Sequence, residues 1–207
     1  MKRFETITKY RTSSFVFSFP IRAALILSGI SDPLVHEQAK EILRKMGHFY
    51  QVQQDFLDCF GDAEKKGKVD TEQEEGRSCW HFLKAFQFQC FQAEDNSLYA
   101  FGDPDKAGNV GRNIEEGKCC WPFVKALELA NIEERKSLEQ NYGLKDERAV
   151  AEVKKIYQKL NLVGEYDKYE EETLKELRKC IEKTCQSTKL PAKMFLYLLG
   201  SIIDKQL

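Results

Sequence analysis

The chain has 207 residues and a mass of 24.0 kDa, room for one domain rather than two. Its 32 basic and 33 acidic residues give a net charge of -1, which excludes the basic excess that a nucleic-acid-binding surface draws on. A hydrophobic fraction of 42% excludes a mainly disordered chain, and five prolines with twelve glycines leave room for long helices. The seven cysteines form no Cys-x-x-Cys pair, and their odd number argues for reduced, partly buried thiols in a cytosolic protein. With only His36, His48 and His81 beside them, a zinc site has little support.

The first thirty residues place basic side chains before an apolar stretch, but Glu5, Pro20 and Arg22 interrupt it. Its longest uncharged apolar piece falls short of the roughly 18 residues a membrane span needs. The expectation is therefore a cytoplasmic chain with no membrane span, beginning inside a helix. Asp32-Pro33 predicts a helix start, with Asp32 as cap and Pro33 at the first position. Ile42, Met46, Phe49, Gln53 and Phe56 then recur at helical spacing as far as Phe60. A polar loop follows, and a further helix is predicted from Cys79-Trp80. Val150, Val153, Ile156 and Leu160 mark a later helix, and Leu174, Leu177 and Ile181 another. Pro191 opens the last, carrying Phe195, Leu198, Leu199 and Ile202. No stretch alternates as a strand would, so the fold class expected is all-α.

An internal repeat organises the middle of the chain. FGDAEKKGKVDTEQEEGRSCWHFLKA, residues 60–85, returns as FGDPDKAGNVGRNIEEGKCCWPFVKA, residues 101–126, with 14 of 26 positions identical at an offset of 41. Fainter matches upstream set the two copies at 51–91 and 92–132, inside one unit spanning 1–207. A solenoid needs three or more stacked units, so two copies point to a local tandem duplication. Only one copy can occupy a given place in the fold. The expectation is that copy one supplies the better acidic helix and that copy two leads into the downstream helices, running on through ALELANIEERKSLEQNYG without interruption. Copy one's own continuation is expected to turn back near Glu94 to Leu98.

On the helix before the first loop stand Gln51, Gln54, Asp55 and Asp58. Asp55 and Asp58 lie roughly 60° apart on the helical wheel with Gln51 between them. Two carboxylates one turn apart can bridge a hard cation such as magnesium, which takes one or two carboxylates together with substrate phosphates. The same spacing also describes an ordinary solvated helix face. Lys68 and Arg77 in the loop, and Arg11 with Thr12 near the start of the chain, make an ion-neutralising site more plausible. Trp80 and Trp121 read as packing anchors, His48 and His81 as surface or half-buried side chains, and DKYEEETLKELRK as the solvated side of a helix.

KYRTSSFVFSFPIRAALILSGI, then HFYQVQQDFLDCFGD, then GKVDTE with GRSCW, resembles the later half of the farnesyl diphosphate synthase family. NYG at 141–143 and LPAKMF from residue 190 are similar to that family as well. The order and spacing match over nearly the whole chain apart from the duplicated segment. The resemblance implies an incomplete all-α isoprenoid synthase helical bundle that works through Mg2+. The implied reaction condenses an allylic diphosphate, dimethylallyl or geranyl, with isopentenyl diphosphate and releases diphosphate. The implied catalytic residues are Arg11, Thr12, Gln51 and Lys68, the implied diphosphate-binding residues Arg11, Lys68 and Arg77, and the implied metal ligands Asp55 and Asp58. Arg11 stands where the family has lysine, Gln54 where it has the first aspartate of its acidic motif, and Arg77 where it has a further lysine. In copy two, Asp95, Asn96 and Tyr99 stand at the three acidic positions, and Asn109 at the loop lysine. The family's first aspartate-rich motif has no counterpart among residues 1–50, so a chain inactive by itself is the expectation, part of a larger enzyme with a piece counted twice. Family membership further implies a homodimer. The alternative is a non-catalytic truncated paralogue that binds or regulates a full-length prenyltransferase.

Overall fold

A computed structural model of the chain describes residues 1–61, 111–188 and 190–203, and every regular element among them is a helix. Helix α1 (Lys2–Ile7) continues without a break in backbone conformation into a π-helix, Thr8–Ser18, and then into α2 (Phe19–Leu27). The wide stretch keeps bonds five residues apart, as in Phe19 N–H to Ser14 O. It ends just before Pro20, whose ring would meet the carbonyl four residues back in a continuous α-helix. Around Gly29, with φ at 80°, the chain turns as Ile30 N–H donates to Leu25 O (2.9 Å).

Helix α3 (Pro33–Phe60) is 28 residues long, about 42 Å, and starts as the sequence predicts: Asp32 Oδ1 accepts from Leu34 N–H (2.9 Å), with Pro33 at the first position. The chain is next described at a short turn of helix, α4 (Arg112–Glu115), followed by α5 (Trp121–Leu129) and α6 (Ile132–Asn141). The stretch ALELANIEERKSLEQNYG runs from α5 into α6. Asn131 leaves helical geometry and forms a reciprocal capping box with Glu134 at the start of α6. Helices α7 (Glu147–Lys159), α8 (Leu162–Ser187) and α9 (Ala192–Ile203) carry the three late apolar runs as predicted.

One apolar core lies between the π-helix, α2, the first half of α3, the later part of α8 and α9, with Met46, Phe49, Leu177 and Phe195 fully buried. A second gathers Ile114, Leu138, Val153 and Tyr157 around the end of α3. Phe4, Val52, Trp121 and Tyr166 join the two. The π-helix crosses α3 at Gly47, where an added Cβ would lie 2.5 Å from Ser13 Cα. Tyr10, Phe15, Phe19, Ile26, Leu27 and Leu34 are left exposed along the outer side of the N-terminal rod and the start of α3. Lys68 and Arg77, the helix expected after Cys79-Trp80 and the turn expected near Glu94 to Leu98 lie outside the described residues.

Candidate functional site at the end of helix α3

The last turns of α3 receive the chain where it re-enters at residue 111. Gly111 N–H donates to Asp58 O (2.7 Å), and Asn113 N–H donates to Asp58 Oδ2 (2.9 Å). Trp121 N–H donates to Asp55 Oδ2 (2.9 Å), while Asp55 Oδ1 accepts from Gln51 Nε2 (2.9 Å). Gln51 Oε1 in turn accepts from Thr12 Oγ1 (2.6 Å). Asp55 and Asp58 belong to the first repeat copy, whereas Gly111, Asn113 and Trp121 belong to the second. The described body therefore runs from the acidic helix of copy one into the loop and tryptophan of copy two.

Asp55 is only 6% exposed. Burial pushes its carboxyl up to about 6, a shift that the Trp121 N–H and the Gln51 amide oppose; Asp58 adds to the rise and Lys118 counters it. Lys118 is thus close enough to act on Asp55, and its ammonium also pairs with Glu116 Oε2 (2.6 Å). In the repeat register Lys118 is the copy-two counterpart of Arg77. The offset of 41 is the sequence signal that identifies it.

The turn bearing Lys118 is held from its other side by the NYG segment. Tyr142 Oη donates to Lys118 O (2.6 Å) and lies 3.1 Å from Cys120 Sγ, and its ring stacks on Phe123 with centroids 3.6 Å apart. Gly143 N–H donates to Ile114 O (2.8 Å), and a Cβ on Gly117 would lie 3.2 Å from Gly143 Cα. Both glycines have positive φ, 62° and 85°, so this close backbone approach admits no side chain. Hydrogen bonding with Cys120 and burial raise the Cys59 thiol far above its ordinary range, which makes it an inert core thiol.

The structure therefore links Thr12, Gln51 and Asp55 in one hydrogen-bonded chain and sets Asp58 beside it, while Arg11 is exposed. Gln54, at the family's first acidic position, is half-buried. Arg44, His48, Gln51, Asp55 and Asp58 share one face of α3, and its N-terminal part borders an open cleft lined by Lys9, Arg44, His48, Tyr169 and Glu176. Burial lowers the His48 pKa in that cleft. No group of three metal-binding side chains occurs among the described residues. Magnesium keeps several waters and takes one or two carboxylates together with substrate phosphates. Half-buried Asp58 fits a place in such a shell better than Asp55, whose two oxygens already hold N–H groups.

The model of the polyprenyl synthetase family matches this chain twice, over residues 1–90 and 89–160. The chain belongs to the polyprenyl synthetase family. The two matches meet close to where the first copy of the repeat gives way to the second. Among curated relatives of this polyprenyl synthetase chain, farnesyl pyrophosphate synthase of Gallus gallus is 32% identical over 205 residues, covering 99% of this chain and 44% of the relative. The Mus musculus enzyme of the same name is 33% identical, covering 99% and 46%. The chain thus spans less than half the length of these relatives. A solved structure of T. brucei farnesyl pyrophosphate synthase superposes with a TM-score of 0.69 at 24% identity, over 98% of this chain and 50% of the other. That likeness shows the fold: an all-α isoprenoid synthase bundle, of which this chain covers about half. No helix among the described residues is long and apolar enough to cross a membrane.

Proposed function

We propose that this chain carries the diphosphate-binding half of a farnesyl diphosphate synthase-like prenyltransferase, acting in the cytoplasm on an allylic diphosphate and isopentenyl diphosphate. The observation that carries the reading is the docking of the copy-two loop on α3, where Asn113 and Trp121 N–H meet the carboxylates of Asp58 and Asp55 and the charge of Lys118 acts on Asp55. Asp58 is the residue here that would hold Mg2+, and the bound ion would neutralise the diphosphate as it leaves. Lys118, standing in the place that Arg77 has in copy one, supplies further positive charge to that leaving group together with Arg11 and Lys68. The Thr12–Gln51 bond keeps Arg11's neighbour tied to α3. Isothermal titration of the purified chain with Mg2+ and inorganic pyrophosphate tests the site: saturable binding that weakens in Asp58→Asn supports it, and no binding overturns it. Incubation with Mg2+, geranyl diphosphate and isopentenyl diphosphate then separates an active chain from one that only binds.

A second reading is a non-catalytic subunit that associates with a complete prenyltransferase. It is favoured by the side chains left exposed along the N-terminal rod, among them Leu27 at 85% and Tyr10 at 63%. Sedimentation of the chain alone and with a full-length farnesyl pyrophosphate synthase discriminates the two. A mixed species that forms without pyrophosphate binding favours the subunit, and a self-associated chain that binds pyrophosphate favours the enzyme half.

A further inference from the structure

We infer that Asp55, backed by Gln51 and Thr12, is a positioning residue that caps helix α5 from a different helix and is not a metal ligand. The inference deepens the proposed diphosphate site, since the turn it fixes is the one that carries Lys118.

The need for such a cap lies at the start of α5. The first N–H groups of a helix have no partner within it. Cys120, at the N-cap position, makes no side-chain capping bond, and Pro122 has no N–H to offer, so Trp121 N–H is a first-turn donor that must be met from outside the helix. Trp121 is only 3% exposed, which leaves water little access to that group. Asp55 Oδ2 meets it at 2.9 Å, and its negative charge sits favourably at a helix N-terminus.

The other oxygen is equally committed. Gln51 Nε2 donates to Asp55 Oδ1, and Thr12 Oγ1 donates to Gln51 Oε1, fixing the orientation of the amide. Thr12 is itself 4% exposed, so the relay of Thr12, Gln51, Asp55 and Trp121 N–H crosses from the π-helix through α3 to α5 with little of it in water. A magnesium ligand has to face substrate phosphates and water; Asp55 instead faces a main-chain amide and a side-chain amide. Asp58, half-buried on the same face with Oδ2 on Asn113 N–H, is the carboxylate better able to meet a magnesium ion carried by a bound diphosphate.

Rescue by the conservative variant tells the two roles apart. Asparagine keeps an oxygen for Trp121 N–H but is a poor substitute for a carboxylate on a metal. Amide hydrogen exchange at Trp121 should accelerate about tenfold in Asp55→Ala and return most of the way in Asp55→Asn. Thr12→Val, which removes only the far end of the relay, should accelerate it by about threefold and serves if Asp55→Ala fails to fold. Mn2+ with inorganic pyrophosphate, followed by electron paramagnetic resonance, should bind Asp55→Asn within about threefold of the parent and Asp58→Asn about tenfold more weakly. Loss of Mn2+ in Asp55→Asn with Trp121 protection unchanged would overturn the inference. If the parent chain binds no Mn2+ and pyrophosphate, the proposed site falls while the positioning role stands or falls on exchange alone: unchanged protection at Trp121 in Asp55→Ala and Thr12→Val sinks it.

Discussion

The burial that makes Asp55 a firm anchor also penalises its charge. A carboxyl ordinarily near 3.8 and held near 6 in the fold favours the protonated form there. The folded protein then binds more protons than the unfolded chain between those values, so stability falls as pH rises. The favourable contribution is complete below about pH 4 and is lost through about pH 6, with an ionised-state cost of about 3 kcal/mol from a shift of about two units. Asp55→Asn removes the titration and keeps an acceptor. Urea midpoints measured from pH 4 to pH 7.5 should therefore show the variant gaining on the parent as pH rises, and a constant gap would contradict the shift. Gly47 shows a second constraint at this scale, one of space. Its missing side chain lets Ser13 come within contact and donate from Oγ to Arg44 O (3.0 Å). Gly47→Ala must push the π-helix off α3 and should cost about 1–3 kcal/mol in chemical denaturation, against the small gain in propensity that alanine brings to an exposed helix site.

Helices set by an apolar period near 3.6 were legible from sequence, and those set by contacts were not. The runs through Val153, Leu177 and Phe195 announce α7, α8 and α9, and Asp32-Pro33 marks the start of α3. The π-helix escaped because its buried residues, Thr8, Thr12, Ser13, Phe17 and Ser18, recur at four to five, and most of them are polar. That spacing suits a wide helix of roughly 4.4 residues per turn, for which an amphipathic reading at 3.6 has no template. The start of α6 has a local sequence signal, since Asn131 and Glu134 are spaced as a capping box. At the site, Thr12, Gln51, Asp55 and Asp58 were identifiable as residues, but their hydrogen-bond partners include the main-chain N–H groups of Asn113 and Trp121, which carry no sequence signature. The NYG segment was recognisable as a motif without a reason. The reason is its grip on the turn between Gly117 and Trp121. Tyr142→Phe keeps the stack on Phe123 and removes both contacts of the hydroxyl, while Lys118 O keeps the Cys120 N–H (2.9 Å). Thermal or urea denaturation should register a loss of about 1–2 kcal/mol, and pyrophosphate affinity should fall with it if Lys118 serves that ligand.

The arrangement of the whole molecule follows from which copy of the repeat is wired to which helix. Copy one contributes the carboxylates on α3, copy two contributes the amides that reach them, and the bonds from Gly111, Asn113 and Trp121 N–H cross between copies, as does the Cys59–Cys120 hydrogen bond. In sequence, the segment 62–110 lies between the acidic helix of copy one and the docked turn of copy two. In the repeat register Asp70 corresponds to Gly111, so removing residues 70–110 joins Val69 directly to Gly111 and retains Lys68, Gly111 and every bond described at the end of α3. Gly111 has φ at 104° and packs with its missing Cβ 3.1 Å from the Lys154 side chain, a place that the Asp70 of copy one would fill only with strain. The copy-two residue is therefore the one to keep at the junction. The deletion variant should keep the helical signal of the described elements and the protection of Trp121 N–H, with a urea midpoint equal to or above that of the parent. A variant that unfolds, or that exposes Trp121, would mean that 70–110 supports the body in its own right.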